Sequence, residues 1–485
     1  MVRRPSDIHP IRQDPSEEGG ESKVAGESEN AVSEGRLLGR FLPWRLISRF
    51  SFSLTAATAV LLGGSWLSSG TMAPYAATLG PKLIRIRQPC GYLTNIDHDQ
   101  FQATFWMLQG GPRYSWEGSL VLRRILYPIL AYPLMRAAGF DNGGFATNLI
   151  ITLAAFLGFI FFVRRAVGER GAVTAMWLLA TYPGIAYWIG LPYSYVWIVP
   201  GSSLLTMLLW KMARTTDYRR TFLLSMAIGF LFWGYDLFPF FGMAALLILT
   251  RQRRFLEMPI AVAGMIIPVG MLLLWLGLAF HVPLRNSNTE SYWSILTSFT
   301  SQVDLPGWSK LIADLPSVLV NSFFFSNFLF LPLLFFLLAL ASLLGKRSLP
   351  IESPELEILL ATLLVFLVNN LAPPYPGWQL RGIWIARLYQ PVFVAFVLFA
   401  CRSLQRWWES KDPSGRKLAR IAALLVALTV IADAGVVFGP VLRLPIAAEI
   451  YFRFYRHSGP ESLFRNIDLY GRRPLGICKR GVSSE

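Results

Sequence analysis

RRTFLLSMAIGFLFWGYDLFPFFGMAALLILTRQRR, residues 219–254, is the stretch that decides how this chain is organised. Arg219 and Arg220 open it, Arg251, Arg253 and Arg254 close it, and the one acid between them is Asp236 in Gly234-Tyr235-Asp236. Basic residues beside apolar spans are held on the cytoplasmic side of a membrane. A single helix would carry the two basic ends to opposite faces. Two short helices that reverse near Gly234 keep both ends on one face. This second arrangement is expected, with Asp236 at an outward tip and each arm too short to cross a full bilayer of about 30 Å alone.

The rest of the chain follows the same pattern. Apolar runs near or above the roughly 18 to 20 residues of a membrane span recur at about 52–70, 144–163, 172–190, 194–213, 257–280, 317–344, 355–371, 383–401 and 419–440. Basic clusters separate them: Arg164, Arg165 and Arg170; Lys211 to Arg220; Lys346 and Arg347; Arg402 to Arg420. Composition agrees, with 54% hydrophobic and only 15% charged residues against about 25% charged in soluble domains. Soluble enzymes, disulfide scaffolds and coiled coils are excluded. The expected fold is an all-α polytopic membrane protein of about eleven transmembrane helices in the inner (plasma) membrane, with its N-terminus in the cytoplasm.

Residues 1–35 are polar and rich in Ser, Glu and Gly, and read as a disordered cytoplasmic tail. Residues 36–440 form the expected transmembrane domain, with a first outer loop at 71–143 that contains interfacial helices and a second at 281–316. The tail 441–485 falls outside by this count, although its arginines would suit the inside. The net charge of +16 lies in short loops, so it orients the spans and attracts anionic lipid rather than nucleic acid. Cys90, Cys401 and Cys478 have no zinc spacing; with Cys90 and Cys478 both outside, a bond between them stays open.

Chemistry is expected at three places. The first is Asn95-Ile96-Asp97-His98-Asp99-Gln100-Phe101, just after the first span. Two carboxylates there suit a general base on a sugar hydroxyl, or the holding of a divalent cation. Either also suits a helix N-cap before Gln100. The second is Arg123-Arg124-Ile125-Leu126-Tyr127-Pro128, where an arginine pair sits in a stretch broken by Pro128 and Pro133. That pattern suits a helix in the interface, its guanidinium groups gripping a lipid phosphate or merely snorkelling. The third is Arg381 and Arg387, flanking the outer end of a span with Tyr389 close by. They suit an anion, or an ion pair with Asp97, Asp99 or Asp236. The aromatics Tyr182, Tyr187, Trp188, Tyr193, Tyr195 and Trp197 read mostly as an interfacial belt.

A polar tail, one span, a large outer loop with an acidic pair and about ten further spans resemble the GT-C superfamily of integral-membrane glycosyltransferases. Asp97-His98-Asp99-Gln100-Phe101 looks like the first-loop acidic motif of that superfamily, and Arg123 to Pro128 resembles a stretch common after it. The resemblance implies transfer of a sugar from a polyprenyl-phosphate donor to an extracytoplasmic acceptor, with inversion at the anomeric carbon. Asp97 or Asp99 would take the acceptor's proton, while Arg123, Arg124, Arg381 and Arg387 would stabilise the departing phosphate. His98, Gln100, Tyr235, Asp236 and Tyr389 would line the substrate. The partners implied are the lipid-linked donor and membrane lipids, with no nucleic acid. Two other readings stand beside it: a transporter or flippase of a lipid-linked or anionic substrate, for which Asp433 within the last span argues, and a non-catalytic assembly subunit.

Overall fold

The computed structural model describes residues 50–65, 124–182, 185, 189, 194–235, 238–280, 354–371 and 383–438. The regular elements in them are all helical, with no strand among the described residues. In chain order they are α1 (Phe50–Ser65), α2 (Leu126–Ala138), α3 (Phe140–Ala166), α4 (Glu169–Ala180), α5 (Ile198–Met212), α6 (Tyr218–Phe230), α7 (Phe238–Arg251), α8 (Met258–Phe280), α9 (Pro354–Leu371), α10 (Ile383–Glu409) and α11 (Pro413–Phe438). The acidic segment 95–101, the second outer loop, the span expected at 317–344, both tails, Cys90 and Cys478 lie outside the described residues.

Among the described residues three stretches are long and apolar enough to cross a membrane: Asn142–Ala166, Phe255–Leu278 and Pro413–Gly435. The first has 25 residues, or about 38 Å of helix, more than the bilayer's roughly 30 Å of hydrocarbon. α8 is apolar all round and yet exposes Ile266, Met271, Leu274 and Leu278; α11 exposes Leu424, Leu428 and Ile431. Helices of that kind suit lipid rather than water. The interior belongs to α10. Every residue from Gln390 to Cys401 is buried, because this run is flanked by α4, α5, α9 and α11.

The reversal expected in 219–254 is present. α6 continues as a 3-10 turn at Leu231–Trp233, Gly234 and Tyr235 follow, and α7 runs back. The two basic ends meet, as Arg254 Nη2 donates to Thr221 Oγ1 at 3.1 Å. α6 also packs closely on α8. A Cβ on Gly264 would lie 2.8 Å from the Phe222 carbonyl oxygen, and one on Gly229 would strike the Met265 carbonyl, so only glycine allows these backbones to touch.

The other basic loops among the described residues gather at the same end. Arg254 Nη1 and Gln252 Nε2 donate to the carbonyls of Met212 (2.9 Å) and Ala213 (3.0 Å), joining the α7–α8 loop to the α5–α6 loop. Arg251 and Gln252 reach Glu357 near the start of α9, at 3.4 and 3.1 Å. Glu355 faces Arg402 near the end of α10 at 3.8 Å. Arg170, at the start of α4, lies over the Trp408 ring at 5.1 Å. Charge placement along the sequence thus becomes one basic end in space.

Three expectations need correction. The run at 172–190 is not one continuous helix: α4 ends at Ala180, because Tyr182 precedes Pro183 and a residue before proline avoids the helical region, and the described residues Ile185 and Ile189 beyond the break are helical again. Tyr182 is not an interfacial residue. It is buried and stacked on Phe393 of α10, ring centres 3.9 Å apart. The prolines after Arg124 do not break their stretch. Pro128 sits in the first turn of α2, where its missing N–H would be unsatisfied anyway, and Pro133 is carried within the helix.

Candidate functional site

Among the described residues, two of those singled out for chemistry come together: Arg124 and Tyr235. Arg124 immediately precedes Ile125 and α2, and it is 5% exposed. Tyr235 follows the reversal between α6 and α7, and it is buried. The Arg124 Cζ lies 4.4 Å from the centre of the Tyr235 ring. A cation over an aromatic face is worth about 2 kcal/mol when water is excluded, as burial of both groups ensures. A guanidinium is planar and carries its N–H donors in that plane.

Local backbone chemistry holds the tyrosine in place. Its N–H donates to the Leu231 carbonyl at 3.1 Å, and its own carbonyl accepts from the Phe238 N–H at 3.2 Å. The Phe238 ring meets the Tyr235 ring edge-on, 6.2 Å between centres. Gly234 is required beside it, since the Trp197 indole occupies the place a Cβ would take. The arginine is held by the residue after it. Ile125 packs in one apolar cluster with Phe232, Leu272 and Leu276, with Trp233 and Val269 against it. Trp233 Nε1 donates to the Pro268 carbonyl at 2.9 Å, fixing the reversal to α8.

Position gives the pair its interest. Tyr235 stands before the start of α7 and Arg254 just past its end, so about 20 Å of helix separates the Arg124–Tyr235 pair from the basic end. A buried guanidinium there sits apart from the cations that orient the bundle. A cation in such surroundings is costly unless its field is used.

Asp97, His98, Asp99, Gln100, Arg123, Asp236 and Arg381 lie outside the described residues, as do the side chains of Arg387 and Tyr389. Arg387 is the fifth residue of α10, just over one turn in. The described residues contain no group of three or more His, Cys, Asp and Glu that would hold a metal ion. The divalent cation considered above rested on Asp97 and Asp99, which are not among them. Cys401 is a free thiol buried in α10.

Sequence reasoning missed the acids of the basic end. Glu257 accepts from Arg254 Nε at 2.7 Å and from Thr221 Oγ1 at 2.5 Å, and it is buried. Glu355 and Glu357 are buried at the start of α9. Their signal was an acid following a basic loop at a helix start, in Arg254-Phe255-Leu256-Glu257 and Pro354-Glu355-Leu356-Glu357.

The chain matches no protein-family model, no curated protein and no solved structure. Its class therefore rests on its own helices: the described residues are all-helical, with three helices among them that have the length and composition to cross a membrane.

Proposed function

We propose that this chain is a GT-C-type membrane glycosyltransferase, moving a sugar from a polyprenyl-phosphate donor to an extracytoplasmic acceptor with inversion. The observation that supports it is the buried Arg124, stacked on Tyr235 at the opposite end of α7 from the basic loops. If the basic end faces the cytoplasm of an inner membrane, the N-terminus lies inside and Arg124 lies on the outer side, where a lipid-linked donor presents its phosphate. In the reaction, Asp97 or Asp99 takes the proton of an acceptor hydroxyl as its oxygen attacks the anomeric carbon. The bond from that carbon to the phosphate oxygen breaks, and the phosphate leaves with the electron pair. Arg124, with Arg123, Arg381 and Arg387, meets the charge that develops on it. Preorganised cations in a dry site act most strongly on such charge.

A transporter or flippase of an anionic or lipid-linked substrate is the second reading, favoured by Asp433. This acid is buried in α11, and its Oδ1 has no hydrogen-bond partner among the described residues. Polyprenyl-phosphate sugars and envelope glycans should be profiled by mass spectrometry in cells lacking the chain. The cells are complemented in turn with wild type, Asp97→Asn, Asp99→Asn, Arg124→Gln and Asp433→Asn. Loss of one sugar with build-up of its lipid donor, rescued by Asp433→Asn but not by Arg124→Gln or one of the first-loop variants, upholds transfer. Rescue by all but Asp433→Asn overturns it in favour of transport.

A further inference from the structure

Two ionic clusters lie at the basic end, and they differ in how well they are satisfied. Around Arg254 the hydrogen bonding closes. Its Nε, Nη1 and Nη2 find Glu257, the Met212 carbonyl, Gln252 and Thr221. The second cluster surrounds Glu355, which is fully buried. Arg214 Nη2 lies 4.0 Å and Arg402 Nε 3.8 Å from its Oε1. Both are ion-pair distances beyond hydrogen-bond length. Among the described residues neither Glu355 oxygen accepts a hydrogen bond, and Arg402 Nε and Arg406 Nη1 are buried without an acceptor. Arg402 and Arg406 stand one turn apart on α10, so they share a face. Three guanidinium groups about one carboxylate leave an excess of two positive charges. Burial first, then the nearby Arg402 and Arg214, pull the Arg406 guanidinium below its ordinary range, with Glu355 opposing them. The Arg214 Cζ lies over the Trp210 ring, 3.9 Å from its centre, with 45% of the side chain exposed, so the cluster opens outward past it.

Unmet donors and unmet acceptors in one place define a ligand by its chemistry. It must bring acidic oxygens to Arg402 and Arg406, and a hydroxyl or ammonium proton to Glu355. We infer that Arg214, Arg402, Arg406 and Glu355 form a binding site for a phosphate ester carrying a neighbouring hydroxyl or amine. A phospholipid headgroup such as phosphatidylglycerol has this chemistry, and so has a soluble ester such as glycerol phosphate. A bidentate guanidinium and a carboxylate together read phosphate and proton donor at once. The site is separate from the Arg124–Tyr235 pair and does not depend on the transferase reading.

The test uses the full chain, purified and delipidated, with native mass spectrometry and thermal unfolding as readouts. Four ligands are titrated: phosphatidylglycerol in mixed micelles, phosphatidylcholine likewise, glycerol phosphate, and inorganic phosphate. Retention of phosphatidylglycerol over phosphatidylcholine, with little effect of glycerol phosphate, assigns the site to lipid. Equal protection by glycerol phosphate assigns it to a soluble ester. Arg402→Gln and Arg406→Gln should each weaken binding at least about tenfold, as expected when a charge-assisted hydrogen bond is lost. Arg219→Gln/Arg220→Gln removes two exposed charges of the first turn of α6, outside the site, and should leave binding unchanged. If an arginine variant does not fold, Glu355→Gln stands in for it: loss of the opposing negative charge should tighten inorganic phosphate and erase the preference for the ester. The inference is overturned if no ligand gives retention or protection, or if the exposed pair weakens binding as much as Arg402→Gln and Arg406→Gln.

Discussion

Arg254, with 11% of its side chain exposed, and the buried Arg124 lie near opposite ends of α7, and they meet different neighbours. Arg254 is wrapped in oxygen: a carboxylate, a main-chain carbonyl, an amide and a hydroxyl meet its nitrogens. Arg124 is laid on an aromatic face. The first arrangement uses a cation to bind helices to one another. The second rests a cation over the ring of a buried tyrosine. Burial alone does not distinguish a structural arginine from a working one.

The largest effect should come from breaking the Arg254 cluster. Arg254→Met leaves Glu257 buried without its cation, which costs about 3–5 kcal/mol. Unfolding of the purified protein in detergent by added denaturant checks this. Arg254→Met/Glu257→Gln, which removes both charges, should recover most of the loss. If the single variant is as stable as wild type, the two ends are not different in kind.

Arg124→Gln should have the reverse signature, a fall of about 10²- to 10³-fold in sugar transfer rate with a much smaller change in stability. Single-turnover assays with a radiolabelled lipid donor in membranes separate the two quantities. Stability lost as fast as activity would make Arg124 a second Arg254. Gly234→Val probes the tyrosine's support, since its side chain would enter the volume of the Trp197 indole. The overpacking should cost about 1–3 kcal/mol, measured in the same unfolding assay, with transfer impaired as Tyr235 shifts.

The smallest effect sharpens the basic end. Arg253 adopts a left-handed backbone, φ 58°, where the chain turns from α7 toward α8. Arg253→Gly removes that strain and should stabilise by about 1 kcal/mol, visible as a small rise in unfolding midpoint. A loss instead would mean that the Arg253 side chain holds something its backbone strain does not reveal.

The reversal between α6 and α7 was legible because it needs only a sign count: cations at both ends of a stretch too long for one arm and too short for two full spans. Arg124 and Tyr235 were each legible as unusual residues, but not as a pair. They are more than a hundred positions apart in the chain, and no local pattern encodes a contact at that distance. Glu257, Glu355 and Glu357 went unread for a related reason. Counting basic residues settles which side a loop takes and ignores the acids that neutralise it. Tyr182 misled because an aromatic near a helix end looks the same whether it faces headgroups or, as here, the side of α10. The early end of α4 was written in Pro183 and was outweighed by the apolar run around it.

The basic end also sets an order in time. Arg254, Met212 and Glu257 lie close in the chain, so α5 to α8 can fasten to one another as soon as that segment has been made. The partner of Gln252 on α9, Glu357, comes 105 residues later. At roughly 5–20 residues per second, translation delivers it some 5 to 20 s afterwards. During that interval Arg251 and Gln252 wait without Glu357, and the first half of the protein must hold its shape on Arg254 and Glu257 until the second half arrives.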